Sequence, residues 1–313
     1  MNGIERARFW YEVYGREMLA REFSHAVPEI AVGIAGRGSE CFGFDDDVSS
    51  DHDYGTGFSL WITADGDRKY GFELSRSCHR LFRQLKSDLP VSACSAGGGV
   101  EDGVMVIGDF YRRHLGICGV PESWRQWLAI PEYAFAEAVN GEVFRDDAGI
   151  FSAIRQEIKY GMPTDVWLKK LSYHAVMMAQ SGQYNFYRCL IHGEKGAAAL
   201  ALAEFIRHTG ALIFILNHTF APYYKWMFRA MRQLPVLPEV AGMLENLSGD
   251  GLTGEEKGEV IERIAVLIID ELIRGGLAVS GGSYLEPYAL ELQKQISDRQ
   301  LRQLHVMDNG RGE

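Results

Sequence analysis

Asp51 and Asp53 stand two residues apart in "SSDHDYG", downstream of a small-residue turn, Gly36-Arg37-Gly38-Ser39. In extended backbone, side chains at i and i+2 point to the same side. Two carboxylates placed that way can share a hard cation such as magnesium through oxygen ligands. The turn offers the complement. Gly38 lets backbone approach a phosphate closely, and Ser39 brings a hydroxyl and an N–H. Together these residues describe one device: Ser39 holds the terminal phosphates of a nucleotide, and Asp51 and Asp53 hold the metal that bridges them. Catalysis would then be positioning plus electrostatic stabilisation of an in-line attack at phosphorus.

Other readings of the same stretch do not fit. A P-loop requires Lys after its last glycine, where Ser39 and Glu40 follow. A dinucleotide fingerprint requires a third glycine where Cys41 stands. An EF-hand starting at Asp51 would want Glu at its twelfth position, which is Ile62. The bland alternative for Asp51 and Asp53 is a solvated turn with Asx-type caps. Asp45, Asp46 and Asp47 read as a solvated loop, with a capping or second-metal role as the alternative, and His52 as a residue that orients the aspartate pair. Arg37 either neutralises phosphate or points to solvent.

The elements that must position these residues can be read from periodicity. Residues 4–24 pattern as a helix with Trp10, Val13, Tyr14 and Met18 on one face. Ile30, Val32 and Ile34 alternate with small residues and predict a buried strand running straight into the glycine turn. Phe58, Leu60 and Ile62 predict a second strand that starts at the Asp51–Asp53 pair. Leu74, Cys78, Leu81, Phe82 and Leu85 form a helical stripe, and "GVMVIGDF" reads as a third strand with Asp109 at its end. From about Pro163 helices dominate, among them a buried one over 196–218 and one opened by a Thr253/Glu256 capping box and stopped by Gly275-Gly276. "WRQWL", residues 124–128, and the pair Phe205 and Phe214 read as packing. The fold class is α+β, with an α/β domain over residues 1–145 and a helical domain over 146–313.

Gly38-Ser39, eleven intervening residues and Asp51-x-Asp53 resemble the motif of the nucleotidyltransferase superfamily that includes DNA polymerase beta and kanamycin nucleotidyltransferase. The fuller string Gly-Ser-Glu…Gly-x-Asp-Asp…Ser-x-Asp-His-Asp is closer to a bacterial branch, a domain family of unknown function. "PTDVWLKKL", residues 163–171, and "APYYKW", residues 221–226, also look like that branch. The resemblance implies a mixed sheet with helices followed by a helical bundle, and a nucleotide in the cleft between them. It implies phosphate binding by Gly38 and Ser39, magnesium at Asp51 and Asp53, and transfer of a nucleoside monophosphate from an NTP, by default ATP, to a hydroxyl on a small molecule. The superfamily's third carboxylate, the general base, falls to Asp109 if the motif extends that far. At Met105 or Ile107 it would be missing. Lys225, set among Tyr223, Tyr224 and Trp226, is the basic residue of the helical half assigned to the nucleotide.

The totals bound this reading. The chain has 313 residues, 47% hydrophobic and 24% charged, with a net charge of −10. That balance argues against bulk nucleic-acid binding, which expects a basic face. Five cysteines without a Cys-x-x-Cys pair argue against a zinc cage or a disulfide framework. The charged N-terminus and the lack of a run near the roughly 18 apolar residues of a membrane span predict a cytoplasmic protein without a membrane partner. Two rival functions remain. One is a catalytically degenerate nucleotide-binding module. The other is a protein-interaction module, for which "RCLIH", residues 188–192, is a thin signal.

Overall fold

The computed structural model describes residues 1–46, 57–87, 103–279 and 281–310. It is α+β, with a small mixed sheet in the N-terminal half and helices through the rest. The chain divides into two compact units, Met1–Pro121 with Ala134–Gly161, and Glu122–Tyr133 with Met162–Glu313. The helix Ile150–Tyr160 therefore goes with the sheet, while Glu122–Tyr133 goes with the helical unit.

The sheet of the first unit has four strands: β1 (Ala31–Ile34), β2 (Ser59–Ile62), β3 (Gly103–Val106) and β4 (Glu142–Arg145), in the order β3-β2-β1-β4. β1 is antiparallel to both neighbours, with Gly33 opposite Ser59 and Ile34 opposite Glu142. β2 and β3 are parallel, Ser59 beside Gly103 and Ile62 beside Val106. One end of the sheet thus collects the exit of β1 and the starts of β2, β3 and β4. Every residue of β1 and β2 is buried, as expected of strands covered on both faces.

The N-terminal helix departs from its expected face. Gly3–Trp10 passes through a π-helical turn, Tyr11–Gly15, into Arg16–Glu22. The wider turn shifts the register, so Tyr11 and Gly15 face the core while Val13 and Tyr14 are exposed. Gly15 is required there, since a Cβ would stand 2.6 Å from the Phe58 ring. Phe72–Ser87 forms as the stripe predicts, burying Leu74, Cys78, Phe82 and Leu85 against the same core.

The helical unit is built around Thr164–Met178, which packs against Lys195–Leu216 and Leu285–Lys294. Trp127, Leu128, Phe205 and Phe214 are all buried, in keeping with a packing role. The Thr253/Glu256 capping box opens Gly254–Arg274, and Gly275 closes it. Lys195–Leu216 corrects the expectation about apolar runs. By length and composition it could cross a membrane, yet half of its apolar window is buried within the protein. Among the described residues it is the one helix that passes that test.

Candidate functional site

The glycine turn leaves β1 at Ile34 and is fixed by Asn140. Gly36 N donates to Asn140 Oδ1 at 2.9 Å, and Asn140 Nδ2 donates to the Gly36 carbonyl at 2.6 Å. Gly36 sits at φ +129°, a conformation that favours glycine. Asn140 is held in turn by Arg155, which donates to the Asn140 and Gly141 carbonyls at 2.5 and 3.0 Å. Gly141, at φ +68°, leads into β4 so close to β1 that a Cβ would stand 2.0 Å from the Ile34 carbonyl oxygen.

Beyond this clamp Ser39–Phe42 makes one 3₁₀ turn, with Gly38 as an extended N-cap. Ser39 is 4% exposed, and among the described residues its buried Oγ has no hydrogen-bond partner. Native proteins pair nearly all such groups with protein or ordered water, so this hydroxyl is a candidate donor to a molecule bound at the turn. Glu40 is buried and folds its carboxylate back over Gly38, where a Cβ would lie 2.3 Å from Oε2. Gly38 is therefore small because a neighbouring carboxylate occupies its side.

Three further groups stand at the turn. The ring of His114 lies 3.8 Å from where a Gly36 Cβ would be. His114 Nδ1 faces Glu137 Oε2 at 3.4 Å, and Arg37 Nε pairs with the same oxygen at 3.5 Å. Sequence reading missed Glu137, His114 and Asn140. A lone acid inside the apolar run "YAFAEAV" and the Asn140-Gly141 dipeptide were the available signals.

Asp51, Asp53, Asp47 and His52 lie outside the described residues. What the topology gives is the end of the sheet at which the chain enters β2. It is the end where β1 exits, so Gly38-Ser39 and the start of β2 at Ser59 share an edge. β2 begins six residues after Asp53 rather than at the aspartate pair. Among the described residues no three His, Cys, Asp or Glu side chains converge as metal ligands.

The structure also places Asp109, Asp45 and Lys225. Asp109 is not at a strand end: β3 stops at Val106, and Asp109 lies in the first turn of the helix Ile107–Leu115, half exposed and paired with Arg112. Val106 is beside Ile62, at the opposite end of the sheet from the glycine turn. Asp45 is not simply solvated. Its Oδ2 accepts from Gly3 N at 2.8 Å at the start of the first helix, the capping alternative. Lys225 is exposed on Tyr224–Met231 with Nζ 4.9 Å from the Trp226 ring, outside the cavity that Tyr223 and Tyr224 line.

Residues 127–227 match the sequence profile of a family described as a domain of unknown function, DUF4037. The matched stretch contains Glu137 and Asn140 but neither Gly38-Ser39 nor the Asp51–Asp53 pair. No curated protein matches the chain.

Proposed function

We propose that the first unit binds a nucleoside triphosphate with magnesium and transfers its nucleoside monophosphate to the hydroxyl of a small acceptor. The observation that carries this reading is the buried hydroxyl of Ser39, without a hydrogen-bond partner among the described residues, on a glycine turn at the sheet end where the chain enters β2. A phosphate oxygen is the acceptor such a hydroxyl and its backbone N–H can serve. Asp51 and Asp53, just upstream of β2, are the proposed magnesium ligands. The ion, when bound, would neutralise charge developing on the transferred phosphorus. Gly38 would admit phosphate to the backbone once the Glu40 carboxylate that covers it swings aside, and Arg37, tethered by Glu137, supplies a positive charge beside the turn. ATP is the default nucleotide, and a cytoplasmic location belongs to the same reading. The resemblance of the Gly-Ser…Asp-x-Asp string to nucleotidyltransferases supports it.

The position of Asp109 favours a second reading, nucleotide binding without transfer. The base expected at a strand end stands instead on a helix at the far edge of the sheet. Release of pyrophosphate from ATP and magnesium in the presence of a panel of hydroxyl acceptors separates the two. Transfer gives acceptor-dependent pyrophosphate that Ser39→Ala slows, whereas a binding module gives none.

A further inference from the structure

We propose that the cavity in the helical unit is a binding site for a small aromatic anion, one aryl ring carrying one acidic group. The cavity has a volume of about 280 Å³ and lies among Thr164–Met178, Lys195–Leu216, Tyr224–Met231 and the segment 128–133. An apolar cavity of about 150 Å³ holds a benzene, so there is room here for a ring and a substituent.

The walls supply the ring recognition. Tyr133, Tyr173, Tyr223 and Tyr224 line the cavity, and three of them are substantially exposed, at 44%, 46% and 69% for Tyr133, Tyr223 and Tyr224. Tyr133 meets Tyr223 edge-on at 6.1 Å, and Tyr223 lies 4.2 Å from Tyr224. Clustered rings open to solvent offer faces and edges for stacking.

The charged lining selects the sign. Lys169, Lys170 and Arg207 face Glu132 and Asp308, an excess of one positive charge. Lys170 bonds Glu132, and Lys169 donates to the carbonyl of His305 at 2.7 Å and feels Asp308. Those lysines are buried and tethered, so they set the potential. Arg207 is half exposed, and its partner Glu204 lies outside the lining and is shared with His208. Arg207 is the group that reaches a ligand's acid. The same rings without the cations would suit an ammonium; three cations against two carboxylates in the lining favour an acid instead.

The site lies in the other unit from the phosphate turn and stands independently of it. Isothermal titration of the full chain with 4-hydroxybenzoate, without magnesium, tests it against cyclohexanecarboxylate and benzyltrimethylammonium. The expected result is one site for 4-hydroxybenzoate, about tenfold tighter than for cyclohexanecarboxylate, and no heat with the ammonium. Arg207→Gln weakens binding by about tenfold or more, Tyr223→Ala by about fivefold, and Asp51→Asn leaves it unchanged. Both variant positions are exposed, so the fold persists, as circular dichroism will verify. Tighter binding of the ammonium, equal affinity for the two acids, indifference to both variants, or no binding of 4-hydroxybenzoate at millimolar concentration overturns the proposal.

Discussion

Asp109 and His114 stand at the two ends of one nine-residue helix, and it is His114 whose ring approaches Gly36. β3 carries the chain away from the end of the sheet where the glycine turn lies, and the helix returns toward it. Five residues of helix separate the two side chains by roughly 7.5 Å along the axis. The glycine turn thus meets the buried imidazole of His114, beside Glu137, and not the Asp109 carboxylate.

Asp109→Asn therefore leaves magnesium-dependent ATP binding within about twofold of wild type, since an exposed substitution away from the site costs little. Fluorescence titration with a labelled ATP checks this. A tenfold loss would return Asp109 to the site.

Ser39→Ala separates folding from binding by opposite signs. Its buried Oγ has no partner among the described residues, so removing it leaves stability unchanged or slightly raised, while nucleotide affinity falls by about 1 kcal/mol, or roughly fivefold. Urea unfolding and nucleotide titration of the same variant provide both readings.

Gly141→Ala and Gly38→Ala differ in kind. At Gly141 a left-handed φ and a backbone oxygen 2.0 Å from the new Cβ leave no way out, and the cost is roughly 3 kcal/mol or more. At Gly38 the obstacle is the end of the Glu40 side chain and φ is −65°. The fold survives if that carboxylate swings aside, and the loss appears in nucleotide affinity. Chemical denaturation of the two variants distinguishes them.

His208 gives the protein a pH dependence of known sign. Burial, then the adjacent Arg207 guanidinium, pull its pKa down to about 4, while Glu204 opposes them. His174 Nδ1 lies 2.9 Å from His208 Nδ1, and Tyr173 packs edge-on against the ring. Between pH 4 and 6.5 the unfolded chain binds the proton that the folded chain refuses, so stability rises with pH through that window. Above 6.5 the contribution is complete; it is lost as pH falls through 4. Melting temperatures measured across this range fall on acidification, and His208→Phe flattens the part of the slope that His208 contributes.

The sequence was legible where local pattern and tertiary environment agree. The alternation around Val32 and Leu60 and the stripe from Leu74 to Leu85 each appear as read, and so does the Thr253 capping box. It misled where long-range contacts decide. "VMVIGDF" keeps β-branched residues past the strand's end, so Ile107 and Asp109 look like strand until the helix is seen to begin at Ile107. β4 is four residues that gain their identity from β1. The π turn at Tyr11–Gly15 breaks the period that placed Val13 and Tyr14 inside. Lys169 and Lys170, of a residue type that usually sits in solvent, are buried against partners more than a hundred or nearly forty residues away, His305 and Glu132. At the turn, Ser39 was visible because its neighbours in sequence define it. Glu137 and His114 were not, because only the fold brings them there.

Calorimetric titration of ATP with and without magnesium into wild-type, Asp51→Asn and Asp53→Asn proteins tests the central claim most directly. The account predicts a single magnesium-dependent site in the wild type that both substitutions abolish. In melting experiments ATP at about 100 times its dissociation constant would add roughly 2.7 kcal/mol to wild-type stability and nothing to the variants. Binding that needs no magnesium, or that survives both substitutions, would contradict it.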